Sequence, residues 1–315
     1  MSTLKNVFVV GFPRSGTTLL ARLLQDATGY PATPETRFYQ EYEPLLWERT
    51  PDNLVAYLQR KIRLMDMGLH YEVLSFQDSS RKAVFSAILE AYATASAGTN
   101  VRGVIEKSPV HLYHCRQIRK DFPDARIVLI VRHPAKCVSS LLSMPWNLKS
   151  GRRLLHEWRI LATKSIGFRE EGLVDYVIRY EDLVADPSEQ LEKMVSTLSL
   201  DRWGKNARRP SSDVVPEWEM VWKARSLHKV DSNLAACRVI DPLIAEMAKT
   251  VCGRQMALFG YQSSSATRHF YPLITAKIMA EQLARSVFYR AGINRLLRLS
   301  NRGETYPRLK KHGYQ

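Results

Sequence analysis

Hydrophobic and polar positions alternate along the chain between two kinds of pattern. Short strand-like segments fall at Asn6–Val10, Val101–Glu106, Ala125–Val131 and Val174–Arg179; Ala125–Val131 is nearly continuously apolar, as a strand buried on both faces should read. Between them, apolar residues recur at helical spacing: Leu19 to Leu24, a long stretch from about Tyr39 to Ala97, Val110–Asp121, Ala135–Leu142, Arg152–Glu171, Pro187–Leu198 and Ile240–Gly260. Strands alternating with helices predict an α/β protein built on an open parallel sheet flanked by helices, with right-handed crossovers. In such sheets ligands lie beyond the carboxyl ends of the strands. Each predicted strand runs into a polar motif at that end, led by Arg14, Lys107, Arg132 and Tyr180.

The first of these motifs is the most specific. Gly11-Phe12-Pro13-Arg14-Ser15-Gly16-Thr17-Thr18 stands between a strand and a helix. Two glycines permit close backbone approach, and the helix start collects free N–H groups and roughly half a positive charge, so the segment predicts a phosphate-cradling, P-loop-like turn. Its Gly-x4-Gly spacing matches a Walker-type loop, but Thr17 occupies the position of the usual Lys. A loop without that Lys is poorly equipped for ATP hydrolysis, and Arg14 supplies a guanidinium fork in its place.

The boundaries follow from composition. Residues 1–262 are expected to form one domain, with a helical insertion at about 39–97, and residues 263–315 a basic helical C-terminal extension. Of the formal net charge of +15, the extension carries +8, from ten Lys/Arg against Glu281 and Glu304. Its apolar positions Ala276, Met279, Ala280, Leu283, Val287 and Phe288 fall on one helical face, suited to docking on its own domain or to an anionic membrane surface. No recognition helix or aromatic-basic interleaving points to nucleic acid.

Cys115, Cys137, Cys237 and Cys252 are scattered, without a Cys-x-x-Cys pair, so neither a disulfide framework nor a zinc cage is expected. His111 and His114 stand at i,i+3 but without a thiol or carboxylate ligand pattern, and no metal is predicted. The first strand begins within a few residues of Met1 and no apolar run reaches a membrane span, so a cytoplasmic protein is expected, with peripheral membrane contact the role open to the extension.

Taken together, these motifs resemble the sulfotransferases that use 3′-phosphoadenosine 5′-phosphosulfate (PAPS), over roughly Val7 to Tyr261, and within them the tyrosylprotein and related bacterial enzymes. The resemblance implies that Arg14, Ser15, Gly16, Thr17 and Thr18 hold the 5′-phosphosulfate and that Arg132 and Ser140 hold the 3′-phosphate. It places Tyr180 at the adenine and makes Lys107 the cation that stabilises the transition state. Glu35, 21 residues after Arg14 and followed by Thr36-Arg37, matches the catalytic Glu of the tyrosylprotein enzymes. His111 is the competing base, since cytosolic relatives use His. Ser226 and Lys229, in Ser226-Leu227-His228-Lys229-Val230, resemble a stretch that closes over the cofactor.

The resemblance has two departures. Met144 stands where a further phosphate-binding Arg is expected, and the stretch from Ser226–Val230 to Gly260-Tyr261 is shorter than in the tyrosylprotein enzymes. The implied activity is metal-independent sulfuryl transfer to a hydroxyl of a glycan, lipid, small molecule or tyrosine. Tyr39, Tyr42, Trp47, Tyr57 and Tyr71 are candidates to line the acceptor side. A P-loop kinase or nucleotide hydrolase, and a basic membrane-surface binding module, are the alternative readings.

Overall fold

The run of branched apolar residues in Val7–Val10 forms the centre of a four-stranded sheet in the computed structural model of the chain. The structure describes residues 4–41, 58, 66–69, 74, 78, 80–144, 147–202, 215 and 240–262. The strands are β1 (Lys5–Gly11), β2 (Gly103–Lys107), β3 (Arg126–Val131) and β4 (Tyr176–Arg179). They pair in the order β2-β1-β3-β4, all parallel, in register Val9 with Lys107, Val10 with Leu129 and Val131 with Arg179. The open parallel α/β sheet expected from the apolar runs is therefore present.

The helices are α1 (Thr17–Thr28), α2 (Phe38–Glu41), α3 (Arg81–Ala97), α4 (Cys115–Asp121), α5 (Pro134–Leu142), α6 (Gly151–Glu170), α7 (Tyr180–Ala185), α8 (Pro187–Thr197) and α9 (Pro242–Leu258). A 3₁₀ turn, Pro109–His114, precedes α4, so the single helix expected from Val110 is split in two. The split has a local cause: Ser108 accepts from the His111 N–H at 3.0 Å, and His111 turns inward to Glu106. β4 starts two residues later than the apolar run predicts. Asp175 uses its carboxylate to accept from the Ile127 N–H at 2.7 Å, replacing a backbone ladder bond with a side-chain one.

The described residues divide into two compact units. The first comprises those within 4–132 and 164–215, and the second those within 133–163 and 240–262. The whole sheet lies in the first. One of its faces packs Val7, Val9, Ile105, Val128 and Ile130 against Leu20 and Leu24 of α1 and Met194 of α8. The opposite face is aromatic: Phe8 lies 5.6 Å from Phe122 and 6.2 Å from Phe85, and Phe85 of α3 stacks on Phe38 at 4.1 Å with rings nearly parallel. In the second unit α9 packs on α5, Cys252 is buried against the Leu155 carbonyl, and Gln255 donates to Thr163. The region expected as a helical insertion is described at α2, at α3 and at isolated residues between them, whereas the C-terminal extension, Ser226 and Lys229 lie outside the described residues.

Phe85 bridges Phe8 of the sheet, Phe38 and Tyr39 of α2 and Phe122. Phe85→Ala is expected to lower stability by about 3–5 kcal/mol through the lost burial and the cavity left behind, measured by urea denaturation.

Candidate functional site

The carboxyl ends of β1 and β3 form the switch point of the sheet, where successive crossovers leave in opposite directions. Gly11 ends β1 there. A Cβ at this position would stand 2.5 Å from the Ile130 carbonyl oxygen and 2.7 Å from Ser15 Oγ, so glycine is what lets the turn fold back on β3. The turn continues with a Ser15 N–H bond to the Phe12 carbonyl at 3.0 Å. Arg14 (φ 70°) and Gly16 (φ 104°) both adopt the left-handed region, which for the non-glycine Arg14 is a cost of about 1–3 kcal/mol that the surroundings must offset.

α1 then starts at Thr17 with no side-chain cap and no acidic residue in its first turn. Ser15 is wholly buried, and its Oγ has no hydrogen-bond partner among the described residues. Thr17 and Thr18 are buried beside it. An uncapped helix N-terminus next to a buried hydroxyl without a partner is the donor set an anion requires.

Arg132, just past β3, reaches this loop. Its guanidinium donates to the Arg14 carbonyl at 3.2 Å and lies 4.1 Å over the Tyr180 ring. The same ring edge sits against the Cα of Gly16, where any Cβ would overlap it. Arg14, Gly16, Arg132 and Tyr180 are thus one packed group, with one Tyr180 face covered by Arg132 rather than open. Ser140 is buried on α5 in the second unit.

A second group forms at the end of β2. The segment after α1 runs beside this strand: Ala32 bridges Ile105 in parallel, and the Thr33 N–H bonds the Ile105 carbonyl at 2.8 Å. Gln25 and Tyr92 clamp Ala32 from either side, at 2.7 and 3.0 Å. Glu35 and Lys107 therefore leave the same edge. Lys107 is wholly buried and, paired with Val9, lies on the face covered by α1. Glu35 is 7% exposed, and its Oε1 accepts from Arg37 Nε at 2.9 Å.

Glu106, paired with Phe8, faces the opposite side of the sheet. It is buried and accepts from Thr36 Oγ1 (2.7 Å), Ser108 Oγ (2.6 Å) and His111 Nδ1 (2.8 Å). His111 Nε2 in turn accepts from the Tyr39 N–H at 3.2 Å. Both ring nitrogens of His111 are engaged inside the core. His114, stacked on Tyr39 at 6.0 Å, is pushed down to about 4 by burial and then by the neighbouring His111, Arg81 and Lys164, so it stands neutral near pH 7. Among the described residues no group of three or more His, Cys, Asp or Glu is placed to hold a metal.

Motif reading missed the part played by Glu106, Thr36 and Ser108. The available signal was a carboxylate at an interior position of a buried strand, five residues before a histidine.

An open parallel sheet with a glycine turn and a helix N-terminus at its switch point defines an α/β protein of the P-loop-like class. A model of the sulfotransferase family matches residues 6–205, more than half of the chain, and the chain belongs to that family. It is 27% identical over 259 residues to protein-tyrosine sulfotransferase 1 of Danio rerio, an alignment covering 79% of this chain and 66% of that protein. It is 29% identical over 159 residues to protein-tyrosine sulfotransferase 1 of Homo sapiens, covering 48% of this chain and 39% of that one. The chain thus spans between 39% and 66% of the length of these two relatives. Among solved structures it is similar to the sulfotransferase domain from the curacin biosynthetic pathway, with a TM-score of 0.49 and 20% identity over 84% of this chain and 100% of that one. It is also similar to the sulfotransferase domain of the Synechococcus PCC 7002 olefin synthase, at 0.47 and 22% over 83% and 97%.

Gly16→Ala is expected to cost more than about 1 kcal/mol, because it combines a left-handed φ with overlap on Tyr180. Adding Tyr180→Ala should relieve the overlap while leaving the φ strain. Chemical denaturation of the single and double variants reads both parts.

Proposed function

We propose that the chain is a PAPS-dependent sulfotransferase acting on a hydroxyl acceptor. The observation that carries this reading is the meeting of the Ser15 hydroxyl, the uncapped start of α1 and the Arg132 guanidinium at one switch point. The edge that holds Glu35 and Lys107 is on the neighbouring strand. When bound, PAPS supplies an activated sulfuryl group on a phosphate leaving group.

In this reading the loop amides, Ser15, Thr17, Thr18 and Arg14 bind the phosphosulfate end, and Arg132 takes the 3′-phosphate. Tyr180 supports Arg132 through its ring face, within reach of a cation–π contribution. Glu35 accepts the proton of the acceptor hydroxyl, oriented through Oε1 by Arg37. Lys107 and the loop donors balance the negative charge that builds on the transferring and leaving oxygens. These cations perform the neutralisation that a divalent metal performs in phosphoryl transfer, so the proposed reaction calls for none. His111 is left out of the chemistry because its two nitrogens are already bonded to Glu106 and Tyr39. The name of the curated relatives makes a tyrosyl hydroxyl the first acceptor to test, beside glycan, lipid and small-molecule hydroxyls.

Titration calorimetry with adenosine 3′,5′-bisphosphate is expected to show binding by the wild type and equally by Glu35→Gln. Glu35→Gln should lose about 10²–10⁴ in turnover with PAPS, as expected for removal of a positioned base. Lys107→Ala should also lose turnover. Absence of bisphosphate binding by the folded wild type would overturn the reading.

A further inference from the structure

We infer that Glu106 is a positioning residue that fixes the Glu35–Arg37 turn through three separate hydrogen-bond relays, an inference that rests on the reading of Glu35 as the base. Each relay begins at one of three consecutive backbone amides and ends on the same carboxylate. The Arg37 N–H donates to Ser108 Oγ at 2.9 Å, and Ser108 donates to Glu106 Oε1. The Phe38 N–H donates to Thr36 Oγ1 at 3.3 Å, and Thr36 donates to the same oxygen. The Tyr39 N–H donates to His111 Nε2, and His111 donates from Nδ1 to Glu106 Oε2.

The directions are fixed by chemistry. A hydroxyl or ring nitrogen that accepts from a backbone N–H must place its own proton elsewhere, and the carboxylate is where each one points. In this arrangement His111 uses Nε2 as the acceptor from Tyr39 and Nδ1 as the donor to Glu106. Three donors converge on the two oxygens of Glu106 in a site with no access to water.

These amides have no partner inside α2, because they are the first N–H groups of a helix start. The relays satisfy them, and they hold Arg37 in the left-handed region at φ 52°, a conformation that persists for a non-glycine residue only where its surroundings over-determine it. Arg37 in turn carries Glu35 through the Nε to Oε1 bond. Glu106 thus sets the orientation of a carboxylate that it does not touch. Because it belongs to β2, it ties that orientation to the strand whose next residue is Lys107.

Each relay has its own variant. In Glu106→Gln the amide oxygen can still accept from Thr36 and Ser108, but the amide nitrogen meets the His111 Nδ1 proton. Relieving that clash by moving the proton to Nε2 sets it against the Tyr39 N–H, so the Tyr39 relay breaks. Ser108→Ala removes the Arg37 relay, and Thr36→Val, nearly isosteric, removes the Phe38 relay. Thr36→Ser keeps the hydroxyl and should restore it.

Amide hydrogen exchange of the full chain tests the relays directly. Faster exchange is expected at Tyr39 in Glu106→Gln, at Arg37 in Ser108→Ala and at Phe38 in Thr36→Val, with Thr36→Ser close to wild type. With PAPS and an acceptor, kcat per bisphosphate-binding site should fall roughly ten- to hundredfold in the first three variants, the scale of a displaced reacting group. Bisphosphate affinity should stay at the wild-type value, since the β1 loop is intact. Exchange that rises equally throughout the sheet, or Thr36→Val and Thr36→Ser behaving alike, would overturn the inference, as would wild-type kcat in all three variants. A wild type that binds no bisphosphate would instead count against the sulfotransferase reading, and the exchange pattern would still decide whether Glu106 holds the turn.

Discussion

The parallel pairing of β1 with β3 is the constraint from which the site follows. In a parallel sheet every strand delivers its carboxyl end to one edge, and the order β2-β1-β3-β4 puts the β1 and β3 ends side by side where the crossovers diverge. The backbone of Gly11 can lie against the Ile130 carbonyl only without a Cβ. From that approach come the left-handed turn at Arg14 and Gly16, the uncapped start of α1 and the position of Ser15. Arg132 needs only the last turn of β3 to reach the Arg14 carbonyl.

Burial of charge is the second organising feature. Glu106 and Lys107 are adjacent in β2, both almost wholly excluded from water, and they leave the strand on opposite faces. Taking an ion out of water is costly unless hydrogen bonds or opposite charge compensate it. Glu106 is compensated by three donors, which makes it a structural anchor. Lys107 lies on the face covered by α1, and in the proposed function its positive charge complements the negative charge of the ligand. In the proposed function, one strand would separate the two tasks of holding the turn and stabilising developing charge.

Much of this was legible in the sequence because period and chemistry agreed. Val7–Val10 and Ile127–Val131 are apolar throughout, as strands covered on both faces must be, and the glycine turn follows the first of them directly. Less legible was whatever depended on side-chain hydrogen bonding. The apolar spacing of Val110–Asp121 does not announce the 3₁₀ turn at Pro109–His114, where His111 turns inward to Glu106. Asp175 reads as part of a strand until its carboxylate is seen to bond the Ile127 N–H. The resemblance points to Glu35 as the base, and residue type alone leaves His111 beside it as a competitor. Their partners separate them, since one is locked between two core groups and the other is steered by a neighbouring guanidinium.

In the proposed function the β1 loop takes the 5′-phosphosulfate and the adjacent Arg132 takes the 3′-phosphate of one nucleotide. Calorimetric comparison of adenosine 3′,5′-bisphosphate with adenosine 5′-monophosphate, in the wild type and in Arg132→Ala, tests it most directly. Loss of the 3′-phosphate should weaken binding to the wild type by roughly ten- to hundredfold, the worth of a charge-assisted hydrogen bond, and should make little difference to Arg132→Ala. Equal discrimination by both proteins, or none by either, would contradict the account.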